Sequence, residues 1–179
     1  MTAACSLGER ILNHLLLELR DDYKATPQYK EVYSKKSFDN WDKVIGILDS
    51  WDVLLPEVVK NFNELKDLRN YSIHFNPETD TLDKHLAFKA INLLSDIISK
   101  QFGFGDQTWF IPSIPGAFYL KKEVEEWPFV KKIIIPNCAL VGYLHRLEFD
   151  GNCFRAVDDF SYEDREITDA EFRDLMVNQ

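Results

Sequence analysis

The chain is poor in the residues from which metal sites and disulfide frameworks are built. Its 179 residues include three cysteines and four histidines. Cys5, Cys138 and Cys153 are an odd number without C-x-x-C spacing, which argues against a disulfide framework and against a zinc ribbon. The histidines are scattered, with no H-x-x-x-H or H-E-x-x-H pattern to place two on one helix face. We interpret the cysteines as reduced thiols and expect neither a metal nor another cofactor.

The chain also lacks long hydrophobic runs and glycine-rich loops. It has no stretch of about 18 apolar residues, and its amino terminus lacks the charged-then-apolar pattern of a signal peptide. Gly103-Phe104-Gly105 lacks the third glycine and the following lysine of a phosphate-binding loop. We therefore expect a soluble, cytoplasmic protein that does not associate with membranes.

The charge of the chain is negative and unevenly distributed. The net charge is -9, which is unfavourable for RNA binding because phosphate contacts supply most of that affinity. Residues 150–179 carry 3 Lys and Arg against 9 Asp and Glu, whereas residues 1–105 carry 13 against 16. The first part of the chain is thus close enough to neutral for a local basic site around Lys60, Lys66 and Arg69.

Helical periodicity dominates residues 1–105 and predicts a bundle of α-helices. The capping-box spacing Ser6 to Glu9 predicts a first helix over about 7–23. Thr26-Pro27 predicts a short helix through Tyr33, Asp39 or Asn40 begins the next helix, and Pro56 begins a long one that ends at Asn76-Pro77. A last helix is predicted from Asp80 or Thr81 to Gly103, where left-handed backbone geometry is expected.

Residues 106–179 have a different composition and predict a small second domain. The aromatic and proline-rich stretch from Trp109 to Tyr119 indicates irregular or edge-strand structure. Residues 132–136 and 139–149 are strand-like, and Asp150-Gly151-Asn152 is a hairpin turn signal before the strand-like residues 153–157. Thr168 to Glu171 repeats the capping-box spacing and predicts a terminal helix. The fold class predicted for the whole chain is mainly α, with an antiparallel β appendage.

Four polar side chains share one half of the long predicted helix that begins at Pro56. With Arg69 taken as zero, the helical advance of about 100° per residue places Lys66 near 60°, Asn70 near 100° and His74 near 140°. Leu65 and Leu68 fall on the opposite half, which can therefore face a core. His74 lies in the predicted last turn, where the helix dipole favours the protonated imidazole and Arg69 opposes it.

The sequence R-N-x-x-x-H formed by Arg69, Asn70 and His74, on the third long helix of a helical domain, resembles the HEPN superfamily. The resemblance covers roughly residues 6–103. It implies an up-down helical bundle and a metal-independent endoribonuclease that acts as a homodimer, with two copies of the motif lining one cleft. It also implies an effector of a toxin-antitoxin or phage-defence system, with an antitoxin or regulatory protein as a possible partner.

The chemistry of the three side chains suits RNA cleavage without a metal. Attack by the 2'-hydroxyl on the adjacent phosphorus needs a proton acceptor and a proton donor, and His74 is suited to either step. Arg69 can bind two phosphoryl oxygens of the transition state, and Asn70 can orient the ring or the phosphate. Lys66 and Lys60 are added as candidate substrate-binding residues because of their charge. The expected products are a 2',3'-cyclic phosphate and a 5'-hydroxyl.

Other interpretations of the same residues remain open. Arg69 alternatively forms a surface salt bridge with Glu64 or Asp67, while His74 caps its helix. The fold then serves as a non-catalytic HEPN-type binding module, or as an acidic antitoxin or immunity protein that neutralises a basic nuclease. The aromatic residues of 106–179 either stack RNA bases or fill a core, and the acidic end either is solvated or shields a basic cleft.

Overall fold

The computed structural model describes residues 1–73, 83–103, 109–114, 117–137, 146–152, 154–157 and 167–177, and this part of the chain is mainly helical. Contacts divide the chain into two compact units, Met1–Asp106 and Gln107–Gln179. The α-helices of the first unit are α1 Thr2–Leu19, α2 Tyr29–Val32, α3 Trp41–Ser50, α4 Pro56–Ile73 and α5 Asp83–Phe102, with a 3-10 helix at Arg20–Tyr23. The described helices include none that is long and apolar enough to cross a membrane.

The core of the first unit is formed by apolar side chains from α1, α3, α4 and α5. Helix α4 packs most extensively against α5, and α1 contacts α3, α4 and α5. Leu16, Leu48, Phe62 and Ile97, one from each helix, are fully buried. Burial of such side chains contributes about 1.5–3 kcal/mol each, so this core is the main stabilising feature of the unit. It also fixes the face of α4 that remains outside.

Two of the predicted helix starts are confirmed. Asn40 caps α3, because its side-chain oxygen accepts a hydrogen bond from the Lys43 backbone N–H at 3.0 Å. Helix α4 begins at Pro56, where the missing N–H removes no intrahelical bond. The predicted end of α4 at Asn76-Pro77 and the predicted start of the last helix at Asp80 or Thr81 lie outside the described residues.

The predicted start of the first helix is wrong. Helix α1 begins at Thr2, five residues before the predicted start at residue 7, and Met1 is its N-cap without a side-chain hydrogen bond. Ala4 and Cys5 are buried, so packing extends the helix past the Ser6 signal. After Leu19 the backbone tightens into the 3-10 helix Arg20–Tyr23 rather than continuing as α-helix.

Gly103 follows α5 as predicted, but the reason given for it is wrong. Its backbone does not have a positive φ angle. Instead, a Cβ at Gly103 would lie about 2.4 Å from the Ser99 carbonyl oxygen, which accepts the Gly103 N–H at 3.0 Å. The glycine therefore permits a close backbone approach at the end of the helix rather than a left-handed turn.

The second unit contains two antiparallel hairpins and a terminal helix. Strands β1 Phe110–Ile114 and β2 Ala117–Leu120 pair with each other, and β3 Arg146–Phe149 pairs with β4 Phe154–Val157. The predicted turn at Asp150-Gly151-Asn152 is confirmed: Gly151 has φ +99°, and the Asn152 N–H donates to Asp150 Oδ1 at 2.9 Å. Trp109 is buried against Trp127 and Phe129, with ring centroids 5.7 and 5.3 Å apart.

The prediction of a strand over residues 132–136 is wrong. Val130–Ile134 form a π-helical turn and Ile135–Asn137 a 3-10 turn. Val130 and Ile134 are buried four residues apart, so helical spacing brings both to the core even though both are β-branched. The terminal helix α6, Asp169–Val177, begins with the predicted capping box, in which the Thr168 N–H donates to Glu171 Oε2 at 2.8 Å and Thr168 Oγ1 accepts the Glu171 N–H at 3.2 Å.

Candidate functional site

The polar face of α4 borders an open cleft of about 290 Å³ beside the start of α3. We call it the Arg69 cleft; its lining residues are Asp39, Asn40, Trp41, Asp42, Lys66, Arg69 and Asn70. Lys66, Arg69 and Asn70 lie on one face of α4, as the helical periodicity predicts. The others follow one another at the amino-terminal end of α3, where Asn40 caps the helix.

Arg69 is held by contacts from two other helices. Its guanidinium carbon lies 5.8 Å from the centroid of the Trp41 ring, and its Nη2 atom lies 3.4 Å from Glu9 Oε2 on α1. The same Glu9 oxygen accepts a hydrogen bond from Trp41 Nε1 at 3.3 Å. Trp41 is buried and Arg69 is about 29% exposed. The guanidinium therefore rests on a fixed aromatic surface while part of it still faces the cleft.

Lys66 is also engaged by acidic side chains. Its Nζ atom is hydrogen-bonded to Asp42 Oδ1 at the start of α3, lies 3.4 Å from Asn63 Oδ1, and lies 4.0 Å from Asp67 Oδ1. The lysine side chain is 16% exposed, whereas that of Asp42 is 74% exposed. An anion that entered the cleft would therefore have to compete with carboxylates for both cations.

Close packing between α1 and the rest of the bundle brings Glu9 to this position. Gly8, the residue before it, is buried, and a Cβ there would lie about 2.8 Å from Leu65 Cδ2 and about 3.1 Å from Trp41 Cη2. Cys5, one turn earlier, is buried with its Sγ atom 4.0 Å from the Leu65 carbonyl oxygen. Burial raises the pKa of the Cys5 thiol above its ordinary value.

The structure brings three of the five predicted site residues together. Lys66 and Arg69 line the Arg69 cleft, and Asn70 is exposed beside them. Lys60 is exposed on α4, and the cleft lining does not include it. His74 lies outside the described residues.

Arg69 forms an ion pair with a different residue from the two that the sequence suggested. Glu9 pairs with Arg69, while Glu64 pairs with Lys89 at 3.5 Å. No local pattern points to Glu9, because it belongs to the first helix and meets Arg69 only through the packing of α1 on α4. The only sequence signal for Trp41 was its place on the buried stripe of α3.

A second, larger cleft of about 530 Å³ adjoins the first. We call it the Arg10 cleft; it is lined by Glu9, Arg10, Asn13, Lys35, Ser37, Phe38 and Asp39. Asp39 lines both clefts, and Glu9 in this one contacts Arg69 in the other. Within the described residues, no group of three or more His, Cys, Asp and Glu side chains is placed to hold a metal ion.

Comparisons with known proteins assign no family to this arrangement, since no family model, no curated protein and no solved structure matches the chain.

Proposed function

We propose that the first unit is a HEPN-like domain and that the chain is a metal-independent endoribonuclease. The observation that carries the proposal is that Lys66, Arg69 and Asn70 line one open cleft. In this proposal His74, four residues after Asn70 in the sequence, completes the site. The chain then acts as an effector in a toxin-antitoxin or phage-defence system, and an antitoxin or regulatory protein controls it.

The proposed reaction uses the ribose of the substrate as the nucleophile. His74 takes the proton of the 2'-hydroxyl or protonates the departing 5'-oxygen, and the new bond between the 2'-oxygen and phosphorus replaces the bond to the 5'-oxygen. Arg69 stabilises the negative charge on the phosphoryl oxygens. Its contacts with Trp41 and Glu9 reduce the number of orientations that it must lose on binding the transition state. Asn70 orients the phosphate or the imidazole.

A homodimer is the proposed functional state. One guanidinium and one imidazole supply a single proton-transfer group, whereas the reaction needs a proton acceptor and a proton donor. A two-fold dimer in which the two copies of α4 meet would double each group. Sedimentation of the purified chain tests this state directly, and a monomer at micromolar concentration that still cleaves RNA would contradict it.

A non-catalytic binding module is the second candidate, and a specific observation favours it. Both cations of the Arg69 cleft are paired with carboxylates, Arg69 with Glu9 and Lys66 with Asp42. These pairs reduce the positive potential that attracts a polyanion, in line with the net charge of -9. In this case the cleft binds a nucleotide or a protein without cleaving a bond.

The deciding experiment is incubation of the purified chain with mixed RNA in EDTA, followed by chemical analysis of the new ends. We expect 2',3'-cyclic phosphates and 5'-hydroxyls from the wild type and no cleavage by His74→Ala or Arg69→Gln. Lys66→Ala should reduce the rate, whereas Lys24→Ala, which removes the same charge from an exposed position outside the lining of either cleft, serves as its matched control. RNA binding without cleavage would favour the binding module, and cleavage retained by His74→Ala would refute the proposed mechanism.

A further inference from the structure

The Arg10 cleft offers a preformed surface beside the Arg69 cleft. Its floor is the loop before α3, which α1 holds through the amide of Asn13. Asn13 Nδ2 donates to the Phe38 carbonyl oxygen at 2.9 Å, and Asn13 Oδ1 accepts the Phe38 N–H at 2.7 Å. Asn13 Nδ2 also donates to the Glu9 carbonyl oxygen at 3.0 Å. Because these bonds satisfy both the oxygen and the nitrogen of the Asn13 side-chain amide, the loop is already ordered before a ligand binds.

The neighbouring turn is held in the same way. Arg20 Nη1 on the 3-10 helix donates to the Val32 carbonyl oxygen at 3.0 Å and to the Lys35 carbonyl oxygen at 2.6 Å. The backbone of Lys35 is therefore fixed, while its side chain is exposed with Nζ 6.0 Å from the Phe38 ring centroid. The second wall of the cleft, α1, carries the exposed Arg10.

The cations of the two clefts differ in their surroundings. Within the described part of the chain, no carboxylate lies within 4.0 Å of Arg10 or Lys35 to form an ion pair, whereas Arg69 has Glu9 and Lys66 has both Asp42 and Asp67. Glu9, an acidic residue in the lining of the Arg10 cleft, is already engaged by Arg69 and Trp41. Arg10 and Lys35 are thus the cations of this surface that can meet an anion without displacing a carboxylate.

We propose that the Arg10 cleft binds the neighbouring nucleotides of a single RNA strand whose scissile phosphate lies in the Arg69 cleft. This inference rests on the proposed function and adds to it a second binding site, for the nucleotides that flank the scissile phosphate. A volume of about 530 Å³ is within the range of about 300–1,000 Å³ that is typical of pockets for small ligands, so an unpaired nucleotide can enter. Unpaired bases present their hydrogen-bonding edges, which a duplex hides.

Three charged residues of the cleft contact the strand in this proposal. Arg10 and Lys35 bind phosphates of the strand, so that affinity depends on salt. Asp39, which is exposed at the boundary between the clefts, repels phosphate and accepts hydrogen bonds from the amino group of a base. Where the strand passes Asp39, a base therefore faces the protein and the sugar-phosphate backbone does not.

The test is binding of a fluorescent single-stranded octaribonucleotide with 2'-O-methyl groups, which block attack and so separate binding from cleavage. The variant Arg10→Gln/Lys35→Gln keeps most of the apolar stems and removes two charges. The matched control Lys24→Gln/Lys84→Gln removes two charges from exposed lysines outside the lining of either cleft. Circular dichroism verifies that both variants are folded.

We expect the cleft variant to weaken binding about fivefold and the control variant less than about twofold. The slope of log affinity against log salt should fall in magnitude by about 1.4 in the cleft variant, since each phosphate contact contributes about 0.7 for a single strand. Equal losses in the two variants, an unchanged slope, or no binding by the wild type would each overturn the inference. Wild-type binding that depends on Arg10 and Lys35 without cleavage of the unmodified octamer would instead refute the nuclease proposal alone.

Discussion

Gly8 and Gly46 both lie within α-helices, but a methyl group added at each would meet different surroundings. At Gly8 in α1 it would approach Leu65 Cδ2 to about 2.8 Å and Trp41 Cη2 to about 3.1 Å. At Gly46, on the exposed face of α3, it would meet no described atom within 4 Å other than those of its chain neighbours and of its own helix backbone. The same substitution, glycine to alanine, should therefore have opposite effects on the free energy of unfolding at the two positions.

The magnitudes follow from two terms. Alanine in a helix interior is more favourable than glycine by about 0.5–1 kcal/mol, and this gain applies at both positions. Overpacking of a filled core costs about 1–3 kcal/mol, and this cost applies only at Gly8, because Leu65 and Trp41 are both buried. Gly46→Ala should thus be stabilising by about 0.5–1 kcal/mol. Gly8→Ala should be less stable than Gly46→Ala by about 1–3 kcal/mol.

Urea unfolding followed by circular dichroism measures both variants against the wild type. In thermal unfolding the difference of about 1–3 kcal/mol corresponds to several degrees, since about 1 kcal/mol shifts the midpoint by about 2–4 °C in a chain of this size. Equal stabilisation by both substitutions would refute the close packing of α1 against Trp41 and Leu65. It would also remove the reason for placing Glu9 beside Arg69.

Three further predictions concern individual side chains. Asn61 Nδ2 is buried and has no hydrogen-bond partner among the described residues, so Asn61→Leu should raise the free energy of unfolding by about 1 kcal/mol in urea, and a decrease would contradict this. A hydrogen bond from Lys100 and its positive charge lower the pKa of Glu57. The stability that this pair adds is therefore present above the usual carboxyl pKa, and it is lost as the pH falls through the lowered pKa of Glu57. Lys100→Gln should therefore raise the Glu57 pKa in an NMR titration, and a pKa that does not move would exclude the pair in solution. Glu9→Gln removes a negative charge 3.4 Å from Arg69 and should strengthen binding of the 2'-O-methyl octamer; weaker binding would mean that the carboxylate orients the guanidinium rather than opposing the ligand.

Structural features that depend on residues within about one helical turn of each other could be predicted from the sequence. Asn40 caps α3 through a bond to Lys43, and Thr168 and Glu171 exchange the reciprocal bonds of a capping box. Gly151 adopts the positive φ angle that its hairpin requires. Each of these depends on atoms within about three residues of one another, so sequence neighbours carry the information.

Features that depend on packing between distant segments could not be predicted from the sequence in this way. Helix α1 begins before the Ser6 signal because Ala4 and Cys5 are buried, and residues 130–134 coil as a π-helical turn because Val130 and Ile134 reach the core. Burial of apolar surface outweighs the weaker local preferences at both places.

The same distinction between local and tertiary features applies to the candidate site. The sequence by itself determined that Lys66, Arg69 and Asn70 share one face of a helix, because helical periodicity is a local property of the backbone. Only the tertiary structure decided that Glu9 and Trp41 would meet Arg69, since ion pairs and ring contacts between helices depend on how the core packs. The charge that this face presents to a ligand was therefore set by the fold and not by the motif.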